Sequence, residues 1–353
     1  MRGYDPVEPI DVLEKELGRR IVKLDGNENP YLSSPRAREV LAHFPYYHIY
    51  PDPLQRNLRD ALSEYTGFAA GCIVAANGSD ELIDLMLRLF VNQGDEVLNA
   101  PPTFGMYPFL TAVAGASLVN VARNDDFSLN LDGLRAAVSP RTRLIFIASP
   151  NNPTGGVVTE QEVLALLTLD IIVVVDEAYF EFSSGTVAEL VSDHPGLIVL
   201  RTFSKWAGLA GLRVGYCLCH ERLTRHLLTI KQPYNVNVAG EAAAIASLRD
   251  ASYLRGNVEL LRRERDRMYA ALAQRPWLHP YPSQANFVLC RVDEKGDGPV
   301  TAARRLRDGL RRRGILVRFY ESEGLRDCLR ISAGLPEDTA ALLNALEEVW
   351  SEL

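Results

Sequence analysis

Lys205 stands in the stretch Arg201-Thr202-Phe203-Ser204-Lys205-Trp206-Ala207-Gly208-Leu209-Ala210-Gly211-Leu212-Arg213. The apolar run Leu197-Ile198-Val199-Leu200 comes just before it and reads as a short buried strand. Lys205 therefore falls on the turn after a strand end, where open α/β sheets hold their ligands. A lysine that acts as a nucleophile must be kept near a carbonyl and must lose its proton. Hydroxyls at Thr202 and Ser204 and a cation at Arg213 suit a phosphate beside it. Taken alone, a lysine on such a turn is ordinarily a solvated surface group. What changes that reading is the set of residues at the ends of other strands.

Four further stretches fall after candidate strands. Asn77-Gly78-Ser79-Asp80 opens a helical pattern, so its free N–H groups and the positive end of the helix dipole could hold an anion. Plain N-capping by Ser79 or Asp80 explains the same residues. Ser149-Pro150-Asn151-Asn152-Pro153-Thr154-Gly155-Gly156 is more than a turn needs, and a rigid loop could aim the Asn152 amide at a ring oxygen. Asp176 closes the most apolar strand, where a carboxylate is costly unless paired. A protonated pyridine nitrogen would pair it, and Tyr179 could reach the hydroxyl of the same ring; the rival reading is an Asp N-cap. Phe104, in Pro102-Thr103-Phe104, could stack on that ring or simply pack in the core. A Schiff-base lysine, a partner for the ring nitrogen, donors to the ring oxygen, a stacking face and a phosphate cup together describe a site for pyridoxal phosphate.

The elements that must position these residues follow from periodicity. A helix over 6–18 and an extended segment over 21–25 are expected first, then a helix over 54–65. From Cys72 onward strands and helices alternate. Strands are expected at 72–76, 96–99, 117–121, 144–148, 171–176, 197–200 and 214–219, with helices at 79–90, 103–114, 131–138 and 159–168 between them. This is the pattern of an α/β fold with a mostly parallel sheet covered by helices. After residue 239 long charged helices take over (241–248, 253–274, 300–313, 336–353), with strands at 286–290, 315–318 and 328–332. The expected division is an N-terminal arm over 1–30, a large domain over 31–245 and a smaller α+β domain over 246–353.

Composition narrows the class. The chain has 353 residues, 47% hydrophobic, with a net charge of −7, which disfavours general nucleic-acid binding. The Arg262–Arg267 and Arg304–Arg313 clusters read as solvated helix faces. Five scattered cysteines without a Cys-His cluster point away from a metal site and suit a reducing cytoplasm. The N-terminus lacks an apolar targeting segment, and no stretch is long enough to span a membrane. A cytoplasmic protein is expected.

The motifs resemble those of fold-type I pyridoxal-phosphate enzymes, the class I/II aminotransferases, and most of all the histidinol-phosphate aminotransferase branch. The resemblance runs in order through Lys23-Leu24-Asp25-Gly26-Asn27-Glu28-Asn29-Pro30, Tyr50-Pro51-Asp52-Pro53 and Gly78-Ser79-Asp80-Glu81. It continues through Pro102-Thr103-Phe104-Gly105-Met106-Tyr107, Asn152-Pro153-Thr154-Gly155 and Asp176-Glu177-Ala178-Tyr179. Ser204-Lys205, Gly211-Leu212-Arg213 and Cys328-Leu329-Arg330-Ile331 complete it. It implies that Lys205 carries the cofactor and moves the Cα proton. Asp176 would face the ring nitrogen, and Asn152 and Tyr179 the ring hydroxyl. Phe104 would cover the ring, at a position where many relatives carry Tyr. Ser79, Asp80, Thr202, Ser204 and Arg213 would surround the phosphate. The resemblance also implies a homodimer in which Tyr50 reaches the neighbour's cofactor phosphate. Arg330 would take a substrate carboxylate, and Arg318, Tyr4 and Asn27 would contribute to substrate binding. The expected reaction moves an amino group from L-histidinol phosphate to 2-oxoglutarate. Aromatic aminotransferases and threonine-phosphate decarboxylases share most of these motifs and remain alternatives. A cofactor-sensing domain of a transcription regulator is a further one, for which no DNA-binding segment is expected before Lys23.

Overall fold

The computed structural model describes residues 8–293, 295–296 and 298–353. Its strands, in chain order, are β1 (Val22–Leu24), β2 (Ile73–Ala76), β3 (Glu96–Asn99), β4 (Ser117–Asn120), β5 (Thr142–Ala148) and β6 (Ile172–Asp176). There follow β7 (Leu197–Thr202), β8 (Gly215–Cys219), β9 (Leu278–Pro280), β10 (Phe287–Val292), β11 (Ile315–Phe319) and β12 (Cys328–Ser332).

Seven strands form the main sheet in the order β2-β8-β7-β6-β5-β3-β4, and β8 runs against its neighbours while the rest of the central ladder is parallel. The apolar run that ends in Asp176 explains why β6 lies at the centre. Val173 and Val175 enter one core, and Val174 enters the core on the opposite face with Phe146 and Ile198. A strand buried on both faces has no need of alternating polarity. Parallel register levels Ala148, Asp176 and Leu200, so the loops beyond β5, β6 and β7 open on one edge of the sheet. The chain goes from β3 outward to β4 and returns to β5 on the other side of β3. That reversal makes the β3/β5 junction a topological switch point, where such sheets open a crevice. The two loops meet there, with Thr103 Oγ1 donating to Asn151 Oδ1 at 2.7 Å and Asn151 Nδ2 to Pro102 O at 3.0 Å.

The second sheet has the order β1-β11-β12-β10-β9. Its first strand comes from the start of the chain, parallel to β11, so the expected extended segment joins the C-terminal sheet. Leu24 packs there with Val288, Ile315, Leu306 and Leu346. The long helix Ala251–Ala273 links the two cores: Val258 and Leu261 belong to the large one, Met268 and Leu272 to the small one.

Several elements differ from expectation. The helix expected from 103 begins at Met106, because Thr103 is held in the loop by Asn151. β7 runs to Thr202, two residues beyond the apolar run. The helices Pro35–His43 and Glu221–Ile230 and strand β9 were not expected; each buries one or two side chains, too few to stand out as a pattern. The arginine-rich helix Pro299–Arg312 does more than face solvent. Arg311 pairs with Glu8 and Glu16, and Arg304 with Glu321, on other elements. Exposed pairs of this kind contribute little stability each. Among the described residues, no helix is long and apolar enough to cross a membrane.

Candidate active site

Lys205 lies on the turn after β7, half-buried, with Nζ 3.2 Å from Gly26 O and 5.8 Å from the Tyr179 ring centroid. Burial pulls its pKa down to about 8. Arg330 and Arg213 push the same way, and Glu28 opposes them. The turn thus delivers an amine that gives up its proton close to neutral pH.

Asp176 ends β6 and is 4% exposed. Oδ2 accepts from Tyr107 Oη at 2.9 Å and Oδ1 from Ala178 N at 3.1 Å. Burial lifts its pKa to about 6, against the pull of these two hydrogen bonds. Both donors are neutral, so the buried carboxylate suits a cationic N–H donor. Asp176 does not cap a helix: the following 3-10 turn, Phe180–Phe182, has Tyr179 at its cap. Tyr107 was not singled out by sequence reasoning as part of the site. It is fully buried, stacked on Phe146 with centroids 5.0 Å apart and planes 8° apart, and meets Phe104 edge-on at 5.6 Å. The signal available was a tyrosine one turn into an apolar helix, whose hydroxyl must find a partner once buried.

Tyr179 is buried, and its hydroxyl, pushed up to about 12 by burial, accepts from Asn27 Nδ2 at 2.9 Å. Asn27 is buried too, and Ser332 of β12 and Asn286, just before β10, hold it. Asn152 Oδ1 accepts from Arg330 Nη1 at 2.6 Å, which commits the oxygen end of that amide.

The proposed phosphate cup gathers at the start of the helix Ser79–Phe90. Its N-cap is Gly78, at φ +84°, and no side chain caps the helix. Ser79 and Asp80 are therefore first-turn residues, and the capping explanation for them does not hold. Asp80 Oδ2 pairs with Arg213 Nη2 at 2.8 Å, and Arg213 itself has a left-handed backbone at φ +55°. Thr202 Oγ1 accepts from Ser204 N at 3.1 Å and lies 2.9 Å from Ser204 Oγ. A Cβ on Gly78 would come within 2.6 Å of Arg213 Nη2, and one on Gly215 within 2.7 Å of Ser79 N. Only glycine lets the backbone and the arginine approach this closely.

On the second sheet, Arg318 and Arg330 are direct partners across β11 and β12, on one face. Arg330 is 6% exposed. Nη1 donates to Asn152, Nη2 to Asp25 O, and Nε is buried without a partner among the described residues. Its guanidinium sits 5.3 Å from the Phe287 ring centroid, and that of Arg318 5.9 Å from Tyr320. Arg330's partners are neutral oxygens, so its charge is available to an anion.

Lys205, Tyr179, Asn27, Arg330 and Asn152 are linked through contacts to one another and to the 25–27 segment, Asp176 is held separately by Tyr107 and Ala178, and Ser79, Asp80, Arg213, Thr202 and Ser204 form a second group. Tyr50 belongs to neither. It is 78% exposed and stacks on Tyr234 with centroids 4.5 Å apart. Tyr4 lies outside the described residues.

The sequence matches the family "aminotransferase class I and II" over residues 19–346. The chain belongs to this family. Within it, this aminotransferase is 48% identical to a histidinol-phosphate aminotransferase of Roseiflexus castenholzii, covering 99% of this chain and 96% of that protein. It is 44% identical to histidinol-phosphate aminotransferase 1, chloroplastic, of Arabidopsis thaliana, over 99% of this chain and 84% of that protein. Among solved structures, the histidinol-phosphate aminotransferase of Sinorhizobium meliloti in complex with pyridoxal-5'-phosphate superposes with a TM-score of 0.90. That match has 30% identity over 98% of this chain and 95% of the other. An L-threonine-O-3-phosphate decarboxylase from Porphyromonas gingivalis shares the fold, with a TM-score of 0.81 at 22% identity over 94% of this chain and 100% of that one.

Proposed function

We propose that this aminotransferase uses pyridoxal phosphate to move the amino group of L-histidinol phosphate to 2-oxoglutarate, giving imidazole acetol phosphate and glutamate in histidine biosynthesis. The residues present fit that cofactor. Asp176 is a buried carboxylate with neutral donors only, matched to a protonated ring nitrogen. Gly78 and Gly215 let the start of the helix Ser79–Phe90, the end of β7 and Arg213 approach closely, which gathers the groups that would hold the phosphate. Bound there, the cofactor supplies an aldehyde for the amine and an electron sink for the Cα carbanion.

The chain's own residues do the rest. Lys205 would hold the cofactor through its aldehyde and, once freed by a substrate amine, would be the group that takes the Cα proton and returns it. With a pKa near 8 it can accept and return a proton at neutral pH. Asp176 would pair with a protonated ring nitrogen. Asn152 and Tyr179 would bind the ring oxygen, and Phe104 would cover a ring face. The backbone at Ser79 and Asp80, with Thr202, Ser204 and Arg213, holds the phosphate. Arg330 would take the carboxylate of glutamate, and Arg318 and Asn27 would complete the substrate pocket.

The observation that carries the substrate is the Arg318/Arg330 pair. Two guanidinium groups on one sheet face suit a donor with a phosphate in one half-reaction and a dicarboxylate in the other. The 44–48% identity to histidinol-phosphate aminotransferases supports the same choice. The functional unit is a cytoplasmic homodimer, and Tyr50 of each subunit serves the neighbour's phosphate. The exposed run Tyr46, Tyr47, Ile49, Tyr50 and Leu54 supplies an apolar surface for that contact. Residues 1–30 act as an arm that lends β1 to the second sheet, 31–245 as the cofactor domain and 246–353 as the smaller domain.

The test is product analysis. Enzyme, L-histidinol phosphate and 2-oxoglutarate should yield stoichiometric glutamate and no CO2. CO2 without glutamate, from threonine phosphate, would identify a decarboxylase. A kcat/KM for phenylalanine above that for L-histidinol phosphate would make it an aromatic aminotransferase.

A further inference from the structure

We propose that Ser332 is a positioning residue for this reaction: through Asn27 it fixes the direction in which Tyr179 donates its phenolic proton. The proposal rests on the reading of Tyr179 as a donor to the cofactor's ring oxygen.

The chain of contacts has a determined sense. Asn27 has a left-handed backbone, φ +53°, and is 1% exposed. Its backbone N–H donates to Ser332 Oγ at 2.9 Å. A backbone amide can only donate, so the serine oxygen accepts here and its own proton must find another acceptor. Asn27 Oδ1 lies 2.8 Å from that Oγ and receives it. The side-chain amide is thereby oriented with its oxygen toward Ser332 and its nitrogen toward Tyr179 Oη, 2.9 Å away. An NH2 group can also only donate. The tyrosine oxygen therefore accepts from Asn27, and its proton is directed away from Asn27.

The opposite amide orientation fails at Ser332. It would set two donors, the backbone N–H and the NH2 group, against one hydroxyl oxygen, and take from the serine proton the acceptor that Asn27 Oδ1 provides. Ser332 is 2% exposed, so water cannot replace one. The same flip would turn Asn27 Oδ1 toward Tyr179 and draw the phenolic proton into the protein. One buried hydroxyl thus decides whether Tyr179 donates into the site or back to Asn27. Asn286 Nδ2, donating to Asn27 O at 3.1 Å, holds the backbone while the side chain is set.

The test reads the visible absorption of the cofactor-loaded enzyme as a function of pH. A donor to the ring oxygen stabilises its anionic form, so losing that donor raises the pH at which the absorption changes. Tyr179→Phe should raise this midpoint. Ser332→Ala, with no change at Tyr179 itself, should raise it by roughly 0.5 pH unit or more, on the scale of one hydrogen bond. Ser332→Thr, which keeps the hydroxyl, should return it toward the wild-type value. The double variant Ser332→Ala/Tyr179→Phe should move no further than Tyr179→Phe alone, because both act through one proton. A wild-type midpoint in Ser332→Ala beside a shifted Tyr179→Phe would overturn the role of Ser332. So would shifts that add in the double variant. No shift in Tyr179→Phe would remove the assignment of Tyr179 to the ring oxygen, and the proposal with it.

Discussion

Two groups of opposite sign, half-buried Lys205 and buried Asp176, carry the proposed chemistry at the scale of single residues. Lys205 is drawn to a pKa of about 8 chiefly by burial, and Asp176 is lifted to about 6 by the same cause. Lys205→Ala should abolish turnover and the lysine-dependent visible band, while the phosphate cup still retains the cofactor; an unchanged spectrum and rate would identify another lysine as the anchor. The pH dependence follows from the sign of the shift. Cofactor-free protein should recombine with pyridoxal phosphate faster as pH rises, about tenfold per unit below pH 8, and level off above it. For stability the sign is also fixed. Keeping this lysine charged opposes folding fully below pH 8, and the penalty fades between 8 and the ordinary lysine value near 10.5. Lys205 and Asp176 were legible in the sequence because one lies on the turn just after an apolar strand and the other closes one, where an ionisable group needs a reason. Tyr107 was not, because a tyrosine in an apolar helix looks like core until its hydroxyl is found on Asp176.

Elements were legible in proportion to what they bury. β6, with valines in both cores, stands out in the sequence; the helix Pro35–His43, which buries only Ala37, does not, although Ser34-Pro35 is a start signal. β1 was read as extended, but its partner could not be: a three-residue strand carries no mark of the sheet it joins. The helix Ser79–Phe90 makes a prediction of its own. Gly78, at φ +84° and ψ 167°, occupies backbone space almost confined to glycine. Gly78→Ala should weaken cofactor binding roughly tenfold or more, since strain of about 1–3 kcal/mol falls on the loop that opens the cup. Equilibrium dialysis of the cofactor checks this, and unchanged affinity would remove Gly78 from the cup. On β11 and β12, the facing arginines should act as one anion site. Arg318→Ala should cost about 2–5 kcal/mol with L-histidinol phosphate as donor, roughly 30-fold to several-thousand-fold in kcat/KM.

For the whole molecule, the exposed Tyr50–Tyr234 stack is the place where a second subunit should complete the site. Neither Tyr50→Ala nor Lys205→Ala homodimers should be fully active. After subunit exchange, mixed dimers should regain part of the wild-type rate, because one of their two sites has both residues intact. Heterodimers that form without recovering activity would mean that each site is built from one chain. The substrate claim is tested most directly by a single measurement, the first half-reaction of the cofactor-loaded wild-type enzyme. Its rate of loss of visible absorption is compared for L-histidinol phosphate and for L-histidinol, which lacks only the phosphate. The arginine pair predicts that the phosphorylated donor reacts roughly 30-fold to several-thousand-fold more efficiently, with most of that advantage gone in Arg318→Ala. Equal rates for the two donors would contradict the assignment.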